Sequence, residues 1–175
     1  MGSCYGISSK QGTQTNFPFK NLIMKNLSFI LVMIISSSTH AQSITTAPES
    51  VVNQFFDAYK NRQHEQLESL LHPDVIWIQP GNNRIAGVKK SRVEVLGMGK
   101  SMAELSAKTI QLAELKILDA NGNSVACLLR WKATQPGGNT LDVENVDIYT
   151  VENNKIVSVK VYSANIEMED KFWGK

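Results

Sequence analysis

The rhythm of apolar and polar positions changes several times along the chain. From Leu27 to Ile35 apolar residues run together, from about Pro48 to Leu71 they recur at helical spacing, and after Lys108 they alternate. Val51, Phe55 and Tyr59 fall every four residues with Val52 and Phe56 beside them, which lays a broad apolar stripe on one side of a helix. Thr46-Ala47-Pro48-Glu49 in front of that stripe reads as a capping box with proline in the first turn. A second short helix is expected over Glu65–Leu71, with Leu67, Leu70 and Leu71 inward. It stops at His72-Pro73, because a residue preceding proline is pushed out of the helical region. His72 then reads as a charge partner of the helix end. Val75–Gln79 is β-branched and aromatic, a strand closed by Pro80-Gly81-Asn82-Asn83. Val88 to about Leu96 returns to helical spacing, and Gly97 and Gly99 read as its break.

The alternating part predicts four long strands, Thr109–Leu118, Ser124–Thr134, Thr140–Val151 and Ile156–Ser163, joined by the hairpin-like turns ANGN, QPGGN and ENNK. Helices first and an antiparallel meander afterwards make an α+β chain with its helices segregated onto one face of the sheet. The domain is expected to span 48–166, after a linker at 42–47. Residues 167–175 read as a loosely held tail from which Phe172 and Trp173 could dock back.

In the third of those strands Leu141, Val143, Asn145, Asp147, Tyr149 and Val151 share a face, and Asp142, Glu144, Val146, Ile148 and Thr150 share the other. Both faces have apolar centres, so both need cover. The helices supply one, and a homodimer is the economical source of the other. Asp147 is the conspicuous residue, since a carboxylate among valines and a tyrosine is costly to bury unless paired, hydrogen-bonded or protonated. Its neighbour depends on the ENNK turn. A four-residue loop sets Lys160 opposite it, whereas a bulged loop brings Val157, Val159 and Val161 to its face. The valines make the better core face, and the reading adopts the bulged register. Trp131 shares a face with Val125, Cys127, Leu129 and Ala133, while Arg130 and Lys132 take the other.

The opening segment changes how the charge is read. Lys25, the apolar run Leu27–Ile35 and then SSSTHA have the order of a secretory signal peptide. It is expected at 24–41, with cleavage between Ala41 and Gln42, and residues 1–23 read as an upstream extension. The run is far shorter than the ~20 residues of a membrane span. Export to the periplasm follows, with no membrane attachment after cleavage. Lys10, Lys20 and Lys25 belong to the 18 basic residues, whereas none of the 16 acidic ones precedes Gln42, so the net positive charge belongs to that opening segment and the rest carries 15 basic against 16 acidic residues, a net −1. The remainder has no basic footprint for nucleic acid. One cysteine, Cys127, follows the leader, which excludes an internal disulfide there. His64 and His72 lack ligand spacing, so neither a metal nor a cofactor is expected.

Taken in order, VVNQFFDAYKNRQHEQLESLLHPDVIWIQPG, RIAGVKKSR and NVDIYTVENNKIVSVKVYS resemble the nuclear transport factor 2-like superfamily in its SnoaL-like and ketosteroid isomerase-like branch. The resemblance covers roughly Glu49 to Ser163. It implies a cone of curved sheet with the helices on its concave face, an apolar pocket inside, and frequent pairing through the sheet. In ketosteroid isomerases a general-base aspartate ends the strand after the second helix, and here that place matches Gln79, which has no useful basicity. A tyrosine donor in the first helix is matched by Phe55, which cannot donate. The second donor, an aspartic acid kept protonated by an apolar site, is matched by Asp147. Steroid isomerisation is therefore not implied.

Two functional readings stand beside a structural one. In the first, Asp147 is the catalytic acid/base acting on a small, mostly apolar molecule, with Tyr59, Trp77, Gln79, Trp131, Asn145 and Tyr149 shaping or orienting it. In the second, the same residues form a non-catalytic binding site. In the third, Asp147 is a core residue satisfied by Tyr59, Tyr149 or a buried water.

Overall fold

The computed structural model describes residues 47–175 and contains four helices and six strands. The chain runs α1 (Pro48–Lys60), α2 (His64–Leu70), β1 (Leu71–Gln79), β2 (Gly87–Lys89), α3 (Arg92–Leu105), β3 (Gln111–Asn121), β4 (Ser124–Thr134), β5 (Thr140–Glu152), β6 (Lys155–Ser163) and α4 (Ile166–Trp173). The expected upstream extension, leader, cleavage point and nearly all of the linker lie outside the described residues. The strands form one sheet in the order β2-β1-β6-β5-β4-β3, with β1 and β6 parallel and every other pair antiparallel. It is a curved, unclosed sheet in an α+β cone.

The helical stripe of α1 is realised, with Val51, Val52, Phe55, Phe56 and Ala58 buried. Its start differs from the expected capping box: Ala47 is the N-cap, makes no side-chain cap, and leaves the initiation to Pro48. α2 ends at Leu70, and His72 lies in β1 instead of at a helix end, its Nδ1 accepting from the Asp74 amide at 3.1 Å. Pro73 is tolerated inside β1 because the pairing with β6 shifts register between Leu71 and Ile76.

α3 is the largest departure. Gly87–Lys89 pairs with β1 as a short strand, and the helix begins only at Arg92. Ser91 caps it, accepting from the Glu94 amide at 3.2 Å, while the Glu94 carboxylate accepts from the Lys90 amide at 2.8 Å. The helix then passes through Gly97 and Gly99 to Leu105. Buried Val95 and Met98, with Met102 and Leu105 packed behind them, outweigh the ~1 kcal/mol that each interior glycine costs.

The last hairpin turns through Asn153 and Asn154, both at positive φ (49° and 61°), in two residues. A bulge between Thr150 and Val151 then pairs Asp147 with Val161 and Tyr149 with Val159. Val159 and Val161 thus take the face expected of the bulged register, with Ile156 in place of Val157 as the third member. Lys160 sits opposite Ile148 on the exposed face.

Residues 167–175 are not a loose tail. Asn165 caps α4 by accepting from the Met168 amide at 2.9 Å, and Phe172 and Trp173 are buried edge to face with centroids 4.8 Å apart. The Asp170 carboxylate accepts from the Asn82 amide and the Asn83 side chain, both at 2.7 Å, and Gln135 donates to the Phe172 carbonyl at 2.9 Å. Eight residues are too few to display a helical period, which is why the pattern missed them.

The core lies between the helices and one sheet face, built on Val125, Cys127 and Leu129 of β4 and Tyr149 and Val151 of β5. On the opposite face Ile76, Ile78 and Tyr162 are exposed, Val146 and Ile148 are half-buried, and Arg130 grips Asp142 through two hydrogen bonds of 2.6 and 3.0 Å.

Candidate functional site

The helices and the inner sheet face enclose a cavity of about 590 Å³. Its wall is mostly apolar, with α3 contributing Val95, Leu96, Met98 and Met102. All seven residues singled out from the sequence line it: Tyr59 from α1, Trp77 and Gln79 from β1, Trp131 from β4, and Asn145, Asp147 and Tyr149 from β5. Strand alternation explains the convergence, because Trp77 and Gln79 share one face of β1 and the three β5 residues share one face of theirs. Tyr59 meets Trp131 edge to face at 5.4 Å, and Tyr149 is framed by Phe56 at 5.6 Å and Trp77 at 6.2 Å. Phe55 fills the place implied for a donor tyrosine and makes only ring contacts, to Phe56, Trp77 and Tyr149.

Asp147 is 3 % exposed. Its Oδ2 accepts from the Tyr149 hydroxyl at 3.1 Å, whereas Oδ1 has no protein partner, alone in this among buried side-chain polar atoms of the described residues. Burial pushes the carboxyl up to about 7; the Tyr149 hydrogen bond opposes that and the charge of Glu169 reinforces it. Tyr149 is driven well above the ordinary phenol range by burial and then by Asp147 beside it. Cys127, opposite Asp147 on β4, is pushed up to about 12 by burial and by the same carboxylate, which makes it an inert thiol.

Glu169 is the site residue that sequence reasoning missed. It reaches the cavity from α4 and is 2 % exposed. Gln79 Nε2 donates to its Oε2 at 3.5 Å, while Trp77 Nε1 donates to Gln79 Oε1 at 3.3 Å. The Asn145 amide, turned so that its nitrogen meets acceptors, donates to Glu169 Oε1 at 3.2 Å and to the Glu144 carbonyl at 2.8 Å. Burial raises the Glu169 carboxyl, and hydrogen bonds from Ser163, Asn145 and Gln79 hold it back. A signal for this residue existed: Asn165 followed by Glu167 and Glu169 is helix-start chemistry.

The polar end of the cavity therefore holds two carboxyls, two carboxamides and a phenol, with apolar wall beyond. Such a site can hold an apolar body, orient one polar head, and exchange a proton at Asp147. Among the described residues no group of three or more His, Cys, Asp or Glu is placed to hold a metal ion, and no helix is long and apolar enough to cross a membrane.

Comparison with known proteins places the chain. The model of the SnoaL-like domain matches residues 52–159. A crystal structure of a protein of unknown function with a cystatin-like fold, from Xanthomonas campestris, is 32 % identical, covering 74 % of this chain and all of that one with a TM-score of 0.70. Bal32a, from a soil-derived mobile gene cassette, is 21 % identical over 73 % of this chain and 96 % of its own, with a TM-score of 0.68. TerC, co-crystallised with polyporic acid, is 17 % identical over 73 % of this chain and all of its own, with a TM-score of 0.63. No functionally curated protein matches the sequence.

Proposed function

The chain belongs to the SnoaL-like domain family of the nuclear transport factor 2-like superfamily, and we propose that its cavity binds a small, mostly apolar molecule whose polar head is met by Asp147. The observation carrying this reading is the bare Oδ1 of Asp147, a buried polar atom without a partner in the wall of a large apolar cavity. An unpaired buried oxygen costs about 1–3 kcal/mol, and a bound head group would recover that cost. That TerC, a protein of this fold, was co-crystallised with polyporic acid supports the small-molecule part of the reading.

In the catalytic form of this reading Asp147 is the acid/base, its proton affinity raised by burial into the range where proton transfer at neutral pH is efficient. Tyr149 fixes the carboxyl through Oδ2, leaving Oδ1 for the ligand. The isomerase, cyclase and lyase classes, which move a proton on a bound skeleton, suit this group. Asp147→Asn keeps the shape and removes the transferable proton, so turnover of a substrate found by screening is expected to be lost while the fold melts cooperatively. Full turnover in that variant would contradict the catalytic role.

A second reading, a binding module without turnover, has its own support. Gln79 stands where a general base is implied, and its amide is committed to Trp77 and Glu169. In that case Asp147→Asn weakens binding and no reaction is found with the parent. In either form we propose that the chain is exported to the periplasm and its leader removed by cleavage between Ala41 and Gln42. We propose too that two copies pair through the sheet face bearing Ile76, Ile78, Val146, Ile148 and Tyr162.

A further inference from the structure

The two buried carboxyls of the cavity are held differently. Glu169 receives an amide hydrogen on each oxygen, from Gln79 and from Asn145, whereas Asp147 receives one phenolic hydrogen and keeps an oxygen bare. Donors at both oxygens favour a charged carboxylate, and a bare buried oxygen disfavours one. Asn145 and Asp147 are successive residues on one face of β5, so a Glu169 bonded to the first stands beside the second.

Among the described residues no buried cation offsets that negative charge. The groups facing Asp147 are Cys127 on β4, Val161 on β6, Tyr149 and Asn145 on β5, and Glu169 on α4; β1 brings Trp77 and Gln79 to the wall, and α1 brings Phe55, Phe56 and Tyr59, whose phenol burial keeps neutral. The wall residues that carry charge besides these are at its exposed rim. Lys100 has a side chain 77 % exposed and paired with Glu104, Glu68 is paired with Arg92, and His64 is exposed.

We propose that Glu169 is the positioning residue that sets the head-group specificity of this cavity. The negative charge that its amide donors favour, with no buried cation among the described residues to answer it, keeps Asp147 as a hydrogen-bond donor. The polar end then admits a neutral head with an accepting oxygen, a ketone or aldehyde carbonyl, and turns away a carboxylate. The inference rests on the small-molecule reading above and adds the charge and hydrogen-bonding sense of the ligand.

All three tryptophans, Trp77, Trp131 and Trp173, line the cavity, so the intrinsic fluorescence of the protein reports occupancy. Benzylacetone and hydrocinnamate are matched probes that differ in head group, a methyl ketone against a carboxylate. Near pH 6 the parent is expected to bind the ketone at least about tenfold more tightly, a difference of ~1.4 kcal/mol. Glu169→Gln is expected to narrow the ratio to roughly threefold or less, by a gain in hydrocinnamate affinity. Equal affinities in the parent, or an unchanged ratio in the variant, overturn the proposal. Failure of both probes to bind overturns the small-molecule reading, and this inference with it.

A second readout needs no ligand. The carboxyl-carbon NMR titration of Asp147 is expected to shift its midpoint downward by about one unit in Glu169→Gln. An unmoved midpoint reduces Glu169 to a structural contact and overturns the proposal even if the probes behave as expected. Glu169→Leu, similar in volume and uncharged, takes the place of Glu169→Gln should that variant fail to fold.

Discussion

At the scale of the residue, Asp147 carries a stability signature as well as a chemical one. The fold holds its carboxyl at about 7, against about 3.9 in an open chain. Because the folded value is the higher, the native state binds more protons between those limits. The contribution of the protonated group is complete below about pH 4 and is lost as pH rises through 7. Asp147→Asn fixes the uncharged form. The variant is expected to match the parent near pH 4 and to exceed it by up to ~4 kcal/mol near pH 8. Urea unfolding at a series of pH values checks this, and a difference that does not vary with pH would contradict it. Asp147 was legible in the sequence because a carboxylate interrupting an alternating apolar face is conspicuous by itself. Glu169 was not, since an acidic residue among Glu167, Asp170 and Lys171 looks like ordinary surface until α4 is known to dock.

At the scale of the element, the long strands and α1 were legible because each repeats its period several times. What escaped is where tertiary packing overrides local preference. Gly97 and Gly99 read as a break, yet α3 runs through both because Val95 and Met98 on one side of it are buried. Neither glycine is in a left-handed conformation, and a Cβ at either would meet nothing within 4 Å. Alanine at each position is therefore expected to stabilise the protein by ~0.5–1 kcal/mol, measured by chemical denaturation. Loss of stability would show that the helix needs the glycines for a reason its packing does not reveal. The short strand Gly87–Lys89 escaped for a different cause: an exposed glycine, an exposed valine and a half-buried lysine have no alternation to read, and only pairing with β1 makes it a strand.

At the scale of the whole molecule, the register of the last hairpin decides the site, because one residue of slip would carry Asp147 to the outer face. The bulge beside Val151 keeps Asp147, Tyr149, Val159 and Val161 together, and the outer face is left with Ile76, Ile78, Val146, Ile148 and Tyr162. The proposed pairing predicts a native mass of two chains, each beginning at Gln42 when the protein is exported, and a single-chain mass for Ile148→Arg. A monomeric parent would contradict the pairing. The central claim is that Asp147 offers a proton to a ligand inside the cavity, and the most direct test is its carboxyl-carbon titration with and without saturating benzylacetone. A carbonyl accepts a hydrogen bond only from the protonated acid, so the midpoint is expected near 7 in the free protein and higher in the complex. A midpoint that the bound ketone leaves unmoved or lowers would contradict the account.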